Sequence, residues 1–126
     1  MARIIMADDD EVVTFLVRSL LEDAGHIVGV LPDGERVAEV ILAKQPDLLI
    51  LDCGMPGKSG LEVLRQLRAE GIAPRIPVLI LTSRQSVADK AIAYEAGAND
   101  YLIKPFDSDE LVVRVEALLG LARRRA

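Results

Sequence analysis

The chain has 126 residues, 51% of them hydrophobic, which is enough for one domain with its own core and too apolar for a disordered segment. Aromatic residues make up only 3% and Trp is absent, so the core must be aliphatic and an aromatic-lined flavin or nucleobase site is disfavoured. Fifteen Lys+Arg against 20 Asp+Glu leave −5, and three of the cations are Arg123, Arg124 and Arg125; an acidic body repels phosphate backbones, which argues against direct nucleic-acid binding.

Five short apolar runs alternate with five amphipathic stretches. Residues 4–7 open the series, and 11–24 follow as a helix with Val12, Phe15, Leu16 and Leu20 on the face expected to point inward and Gly25 as its stop. The run 27–30 and the turn Pro32-Asp33-Gly34 lead to a helix over 35–44 carrying Val37, Val40 and Ile41. After Gln45-Pro46 comes a continuously apolar run, 48–51, then a glycine-rich loop and a helix over 61–70 with Leu61, Leu64 and Leu67. The second continuously apolar run, 78–81, precedes a helix over 87–96 with Val87, Ala91 and Ile92 expected inward and Gly97 as its stop. The run 101–103 leads to a helix over 109–124 with Leu111, Val115, Leu118 and Leu119, opened by Asp107 and Glu110 at capping-box spacing. Continuous apolar runs alternating with helices predict a doubly wound (βα)5 fold, an α/β domain whose five-stranded parallel sheet is covered on both faces. In such sheets the functional site lies beyond the carboxyl ends of the strands.

The polar residues at those ends converge on one chemistry. Asp8 and Asp9 follow the first strand, Asp52 the third, Thr82 and Ser83 the fourth, and Lys104 the fifth. Crowded carboxylates repel one another, and a hard divalent cation removes that penalty; an incomplete oxygen shell points to Mg²⁺. A metal, a lysine and a hydroxyl donor around an accessible carboxylate are what transfer of a phosphoryl group to that carboxylate requires. A single Cys allows no internal disulfide. No run is long enough to span a membrane and no signal-peptide pattern opens the chain, so the expected compartment is the cytoplasm, with no membrane partner.

With these residues in place, the chain resembles the receiver domain of bacterial two-component response regulators from end to end. The resemblance rests on the acidic pair Asp8-Asp9, on the stretch from Leu48 through Asp52, Met55 and Pro56 to Gly60, on Leu81-Thr82-Ser83, and on the stretch from Gly97 through Asp100, Tyr101 and Lys104 to Phe106. It implies a flavodoxin-like strand order 2-1-3-4-5 over residues 1–122, with 123–126 expected as a basic tail or the start of a linker. It implies a signalling domain rather than an enzyme, one that assists its own phosphorylation and dephosphorylation. In that family's scheme Asp52 accepts the phosphoryl group from a histidine kinase or phosphotransfer protein, Asp9 and Asp52 hold Mg²⁺ with the backbone carbonyl of Gly54, and Asp8 assists through water. Lys104 contacts the phosphoryl oxygens, Thr82 swings toward them, and Tyr101 turns inward behind it. Pro105 follows a cis peptide bond. The output is a shift in the face formed by the fourth helix, fifth strand and fifth helix. Gly54 and Arg84 stand at positions that tune phosphoryl lifetime, and Lys90, Asp100, Glu110 and Arg114 stand where one subclass places the charges of a phosphorylation-dependent homodimer.

Two other functions compete. Asp8-Asp9-Asp10-Glu11-Val12 fits the nucleophile motif of haloacid-dehalogenase-like phosphatases, with Asp8 as nucleophile, but leaves Asp52 unexplained. A receiver fold used as a phosphorylation-independent interaction module is the third reading, against which the complete acidic set argues. Gly57-Lys58-Ser59 imitates the end of a phosphate-binding loop, yet the required partner glycine would be at position 52, which is Asp. His26 has no partner in sequence that suggests catalysis or metal binding, and Cys53 reads as a small apolar filler beside the acceptor.

Overall fold

Every expected strand and helix forms, and their order follows the alternation in the sequence: β1 (Arg3–Ala7), α1 (Glu11–Asp23), β2 (Ile27–Leu31), α2 (Val37–Lys44), β3 (Leu48–Leu51), α3 (Gly60–Ala69), β4 (Val78–Thr82), α4 (Val87–Ala96), β5 (Asp100–Ile103) and α5 (Ser108–Arg125). The structure, a computed structural model, describes residues 1–125, with side chains through residue 120. The expected tail over 123–126 therefore lies outside the residues whose side chains are described. The five strands are all parallel and run in the order β2-β1-β3-β4-β5.

Alternating residues along each strand feed two separate cores, because successive side chains of a strand point to opposite faces. Ile5, Ala7, Leu49, Leu51, Val78 and Ile80 pack with α2, α3 and Ala93 of α4. Ile4, Met6, Leu48, Ile50, Leu79 and Leu81 pack with Val17 and Leu21 of α1 and with Leu111, Val115, Leu118 and Leu119 of α5. All five strand residues of β4 and all four of β3 are buried, which is why 48–51 and 78–81 are apolar without interruption, with Thr82 the one polar residue among them.

Three local expectations change. In α1 the buried positions are Thr14, Val17 and Leu21, whereas Val12 and Phe15 are 77% and 73% exposed and Leu16 also faces solvent. The inward stripe was hidden in the sequence by Thr14, whose hydroxyl donates back to the Glu11 carbonyl at 3.1 Å and so passes as apolar. In α4 only Ala93 is buried; Val87, Ala91 and Ile92 point outward, because a helix that meets its neighbours through alanine needs no large side chains beneath it. The helix α2 begins at Val37, since Asp33 turns the chain by accepting the Glu35 N–H at 2.9 Å, and Gly34 packs directly on the Lys58 carbonyl.

Candidate functional site

Strand register sets the site. Ala7 of β1 pairs with Leu51 of β3, so the next residues, Asp8 and Asp52, leave the sheet side by side, and the Asp52 N–H donates to the Ala7 carbonyl at 3.1 Å. Thr82 of β4 pairs with Ile103 of β5, which puts Lys104 one step beyond, its N–H bonded to the Thr82 carbonyl at 2.8 Å. Carboxylate oxygens of Asp8, Asp9 and Asp52 all lie within 4.8 Å of one another. The Lys104 ammonium donates to Asp8 Oδ2 at 2.7 Å and stands 3.8 Å from Asp52 Oδ2. Asp8 also accepts the Asp10 N–H at 2.9 Å, and Asp10 in turn caps α1 by accepting from the N–H groups of Val12 and Val13. The acidic run thus divides its work: Asp10 starts the helix, and Asp8, Asp9 and Asp52 make the pocket.

The three carboxylates are not equivalent. The Asp8 side chain is fully buried, and burial pushes its carboxyl above the usual range although the Lys104 hydrogen bond opposes this. Asp9 is exposed, and the Asp52 side chain keeps 11% of its surface open. The oxygen-only donor set of Asp8, Asp9 and Asp52 suits a hard divalent cation. Gly54 adds no side chain over this pocket, and a Cβ there would meet nothing within 4 Å. Gly60 has the opposite surroundings: a Cβ would stand 2.1 Å from the Asp52 carbonyl oxygen, so only glycine lets α3 start this close to the acidic strand end. Ser59 caps that helix through a capping box with Glu62, which accounts for the phosphate-loop look-alike.

Behind the pocket, Thr82 is 1% exposed and its hydroxyl accepts the Arg84 N–H at 3.4 Å. Tyr101 already lies inside, 5% exposed, with its hydroxyl donating to the Arg84 carbonyl at 2.7 Å; burial pushes its pKa up to about 12. The Tyr101 ring therefore sits inward in this conformer. A backbone carbonyl as its acceptor leaves no trace in sequence. The Lys104–Pro105 peptide bond is cis. Cys53 is buried, and burial raises its thiol pKa. Arg84 is exposed.

Of the four charges assigned to a dimer face, three meet within the chain: Arg114 bonds to Asp100 at 2.7 Å and to Glu110 at 2.9 Å, while Lys90 lies apart on α4. His26 is satisfied structurally. Its Nε2 stands 2.6 Å from a Glu116 carboxylate oxygen, and its Nδ1 accepts the Ala2 N–H at 3.2 Å. Among the described residues no helix is long and apolar enough to cross a membrane.

Residues 4–116 match the family model for the response regulator receiver domain. The response regulator PmrA of Pseudomonas aeruginosa is 43% identical over 124 residues, covering 98% of this chain and 55% of that protein. MprA of Mycobacterium ulcerans is 44% identical over 117 residues, covering 93% of this chain and 50% of its own. The chain thus spans about half the length of the curated relatives it matches. Among solved structures, the receiver domain of Francisella response regulator 1452 superposes with a TM-score of 0.89 at 31% identity, covering 100% of both chains. The BeF3-activated N-terminal receiver domain of Klebsiella pneumoniae RstA superposes with a TM-score of 0.85 at 34% identity, covering 93% of this chain and 97% of that one. A receiver model matched across nine-tenths of the chain, on a fold whose strand ends gather these acids, shows that the chain belongs to the response regulator receiver family, a family of signalling domains rather than classical enzymes.

Proposed function

We propose that the domain is a phosphorylation switch in which Asp52 accepts a phosphoryl group from a histidine kinase or phosphotransfer protein. The observation that carries this reading is the convergence of carboxylate oxygens of Asp8, Asp9 and Asp52 within 4.8 Å of one another beside the Lys104 ammonium, where the Asp52 side chain keeps 11% of its surface exposed and that of Asp8 keeps none. An Asp52 carboxylate oxygen attacks phosphorus, the bond from phosphorus to the donor imidazole nitrogen breaks, and the imidazole leaves and takes up a proton. Asp8, Asp9 and Asp52, with the Gly54 carbonyl, would hold Mg²⁺, which when bound supplies positive charge opposite the phosphoryl oxygens. Lys104 already lies between Asp8 and Asp52 and provides a second cation for those oxygens. Thr82 supplies a hydroxyl donor, and Tyr101 fills the space behind it through the Arg84 carbonyl. Engagement of Thr82 and Lys104 by the phosphoryl group biases the face built from α4, β5 and α5.

A donor protein must cover the pocket, and the outward Val12, Phe15 and Leu16 of α1 offer it an apolar ledge beside the acidic rim. The same burial pattern weighs against Asp8 as a phosphatase nucleophile, because an attacking oxygen has to be reachable. Phosphorylated protein is expected to dimerise through the α4-β5-α5 face, with Arg114 exchanging its intrachain partners for those of a second copy; Arg114→Glu should weaken that association in analytical ultracentrifugation.

The test is Mg²⁺-dependent labelling by acetyl phosphate, read by intact mass. Asp52→Asn should abolish the label. Persistence of label in Asp52→Asn removes Asp52 from its role, and absence of label in the parent chain favours a phosphorylation-independent module.

A further inference from the structure

The helix α4 is held in two different ways at its two ends. Along its length only Ala93 is buried, and Val87 in its first turn is 84% exposed, so packing alone fixes it weakly. At the N-terminal end the chain is tied to the body through Thr82 and Tyr101: the Arg84 N–H donates to the Thr82 hydroxyl, and the Arg84 carbonyl accepts from the Tyr101 hydroxyl. At the C-terminal end a guanidinium joins a backbone tie, the Asn99 N–H donating to the Val78 carbonyl at 2.9 Å. Arg68 of α3 donates from one Nη to the Gly97 carbonyl at 2.9 Å, with the Ile76 carbonyl at 3.4 Å and Asn99 Oδ1 at 3.5 Å. Asn99 Oδ1 accepts the Val78 N–H at 2.9 Å, so the same cluster reaches the start of β4.

Gly97 is shaped for this contact. It ends α4 in the left-handed region, φ 113°, and a Cβ there would stand 2.8 Å from Arg68 Nε. The second Nη of Arg68 is buried without an acceptor among the described residues. A fork with an idle donor next to the last carbonyls of a helix can exchange acceptors as those carbonyls tilt, without releasing the helix end.

We infer that Arg68 is a positioning residue: it pins the C-terminal end of α4, so that rearrangement at Thr82, Arg84 and Tyr101 swings the N-terminal end of the helix about a fixed pivot at Gly97. This inference rests on the phosphorylation-switch reading for what drives the swing, but not for the pivot itself. The helix then acts as a lever, with large excursions near Val87 and small ones near Ala96.

The test is amide NMR on the parent chain, Arg68→Met and Arg68→Lys, with intact mass reporting label and β3 amides reporting the fold. In the parent, acetyl phosphate with Mg²⁺ should shift amides 84–90 strongly and amides 96–99 little. In Arg68→Met the changes should spread to 96–99, and Arg68→Lys, which keeps charge but not the fork, should behave like Arg68→Met. Equal shifts at both ends of α4 in the parent, or an unaltered gradient in Arg68→Met, overturns the pivot. If mass shows no label, the switch reading fails and hydrogen exchange without phosphodonor decides the pivot: protection of Gly97 and Ala98 should drop about tenfold in Arg68→Met while β3 is unchanged. Unchanged protection there also overturns it.

Discussion

Gly54→Ala and Gly60→Ala are the same chemical change at two ends of one loop, and the structure gives them opposite outcomes. At Gly60 the added carbon would sit 2.1 Å from the Asp52 carbonyl oxygen and 2.8 Å from its carbonyl carbon. That is about 1.4 Å inside an ordinary contact of about 3.5 Å, and both partners are backbone, so neither can rotate away. Relief requires α3 to back off the end of β3, an overpacking cost of about 2–3 kcal/mol. Alanine recovers about 0.4–1 kcal/mol by restricting the unfolded chain, leaving a net loss of about 2 kcal/mol, or roughly 6–10 °C in Tm. At Gly54 nothing lies within 4 Å of the new carbon, and its φ is outside the left-handed region, so stability should stay within about 0.5 kcal/mol of the parent. Thermal and urea unfolding of the three chains under chelator measures this difference. The Asp52 labelling rate adds a second readout, because moving the Asp52 carbonyl should slow labelling in Gly60→Ala and not in Gly54→Ala. A Gly60→Ala chain as stable as the parent, or equal losses in both variants, would refute the argument that β3 and α3 are locked by this contact.

Three further outcomes follow from the same geometry. Alkaline titration followed by tyrosinate absorbance should show a step near pH 12 that Tyr101→Phe removes; because the folded pKa lies above the unfolded value of about 10, the stability this group contributes is full below pH 10 and lost as pH rises through about 12. A Tyr101 step near 10 would mean that the ring is outside. Arg84→Ala should shorten the lifetime of the phosphorylated chain severalfold by uncovering the rim, and an unchanged lifetime removes Arg84 from that role. Phe15→Ala, at a site 73% exposed, should leave unfolding within about 0.5 kcal/mol and labelling by acetyl phosphate unchanged, while transfer from a cognate histidine kinase slows. Equal kinase transfer would show that α1 is not the ledge.

The fold was legible because burial on both faces leaves a sequence little freedom. In β3 and β4 every residue is inside, so the runs at 48–51 and 78–81 are apolar without a break, and only Thr82 at the site end of β4 is polar. The pocket was legible for a related reason: in a parallel sheet the register of Ala7 with Leu51 fixes where the next residues emerge, and both are aspartates. What sequence could not show were contacts made by main-chain oxygens. The Arg84 carbonyl under Tyr101, the Gly97 carbonyl under Arg68 and the Asp52 carbonyl against Gly60 involve atoms common to every residue, so residue type carries no signal for them. The start of α2 at Val37 is set by the Asp33 side-chain turn together with the close approach of Gly34 to the Lys58 carbonyl, and only the second of these leaves no mark in residue type.

The two helices whose inward faces were misjudged, α1 and α4, share a physical cause that bears on function. Hydrophobic periodicity assumes that large apolar residues on a helix serve the core. In α1 the core is met by Thr14, Val17 and Leu21, and in α4 by Ala93, while Val12, Phe15, Val87 and Ile92 are left to solvent. Leaving those side chains in water forgoes the stabilisation that their burial would give. One of the two helices begins at the acidic strand end that holds Asp8 and Asp9, and the other begins just after Thr82 and Arg84. A surface that accepts a donor protein and a surface that changes when the pocket is filled would each use such residues. Exposed apolar stripes of this kind are expected where a helix face serves recognition rather than core packing, which the Phe15→Ala transfer assay tests on α1.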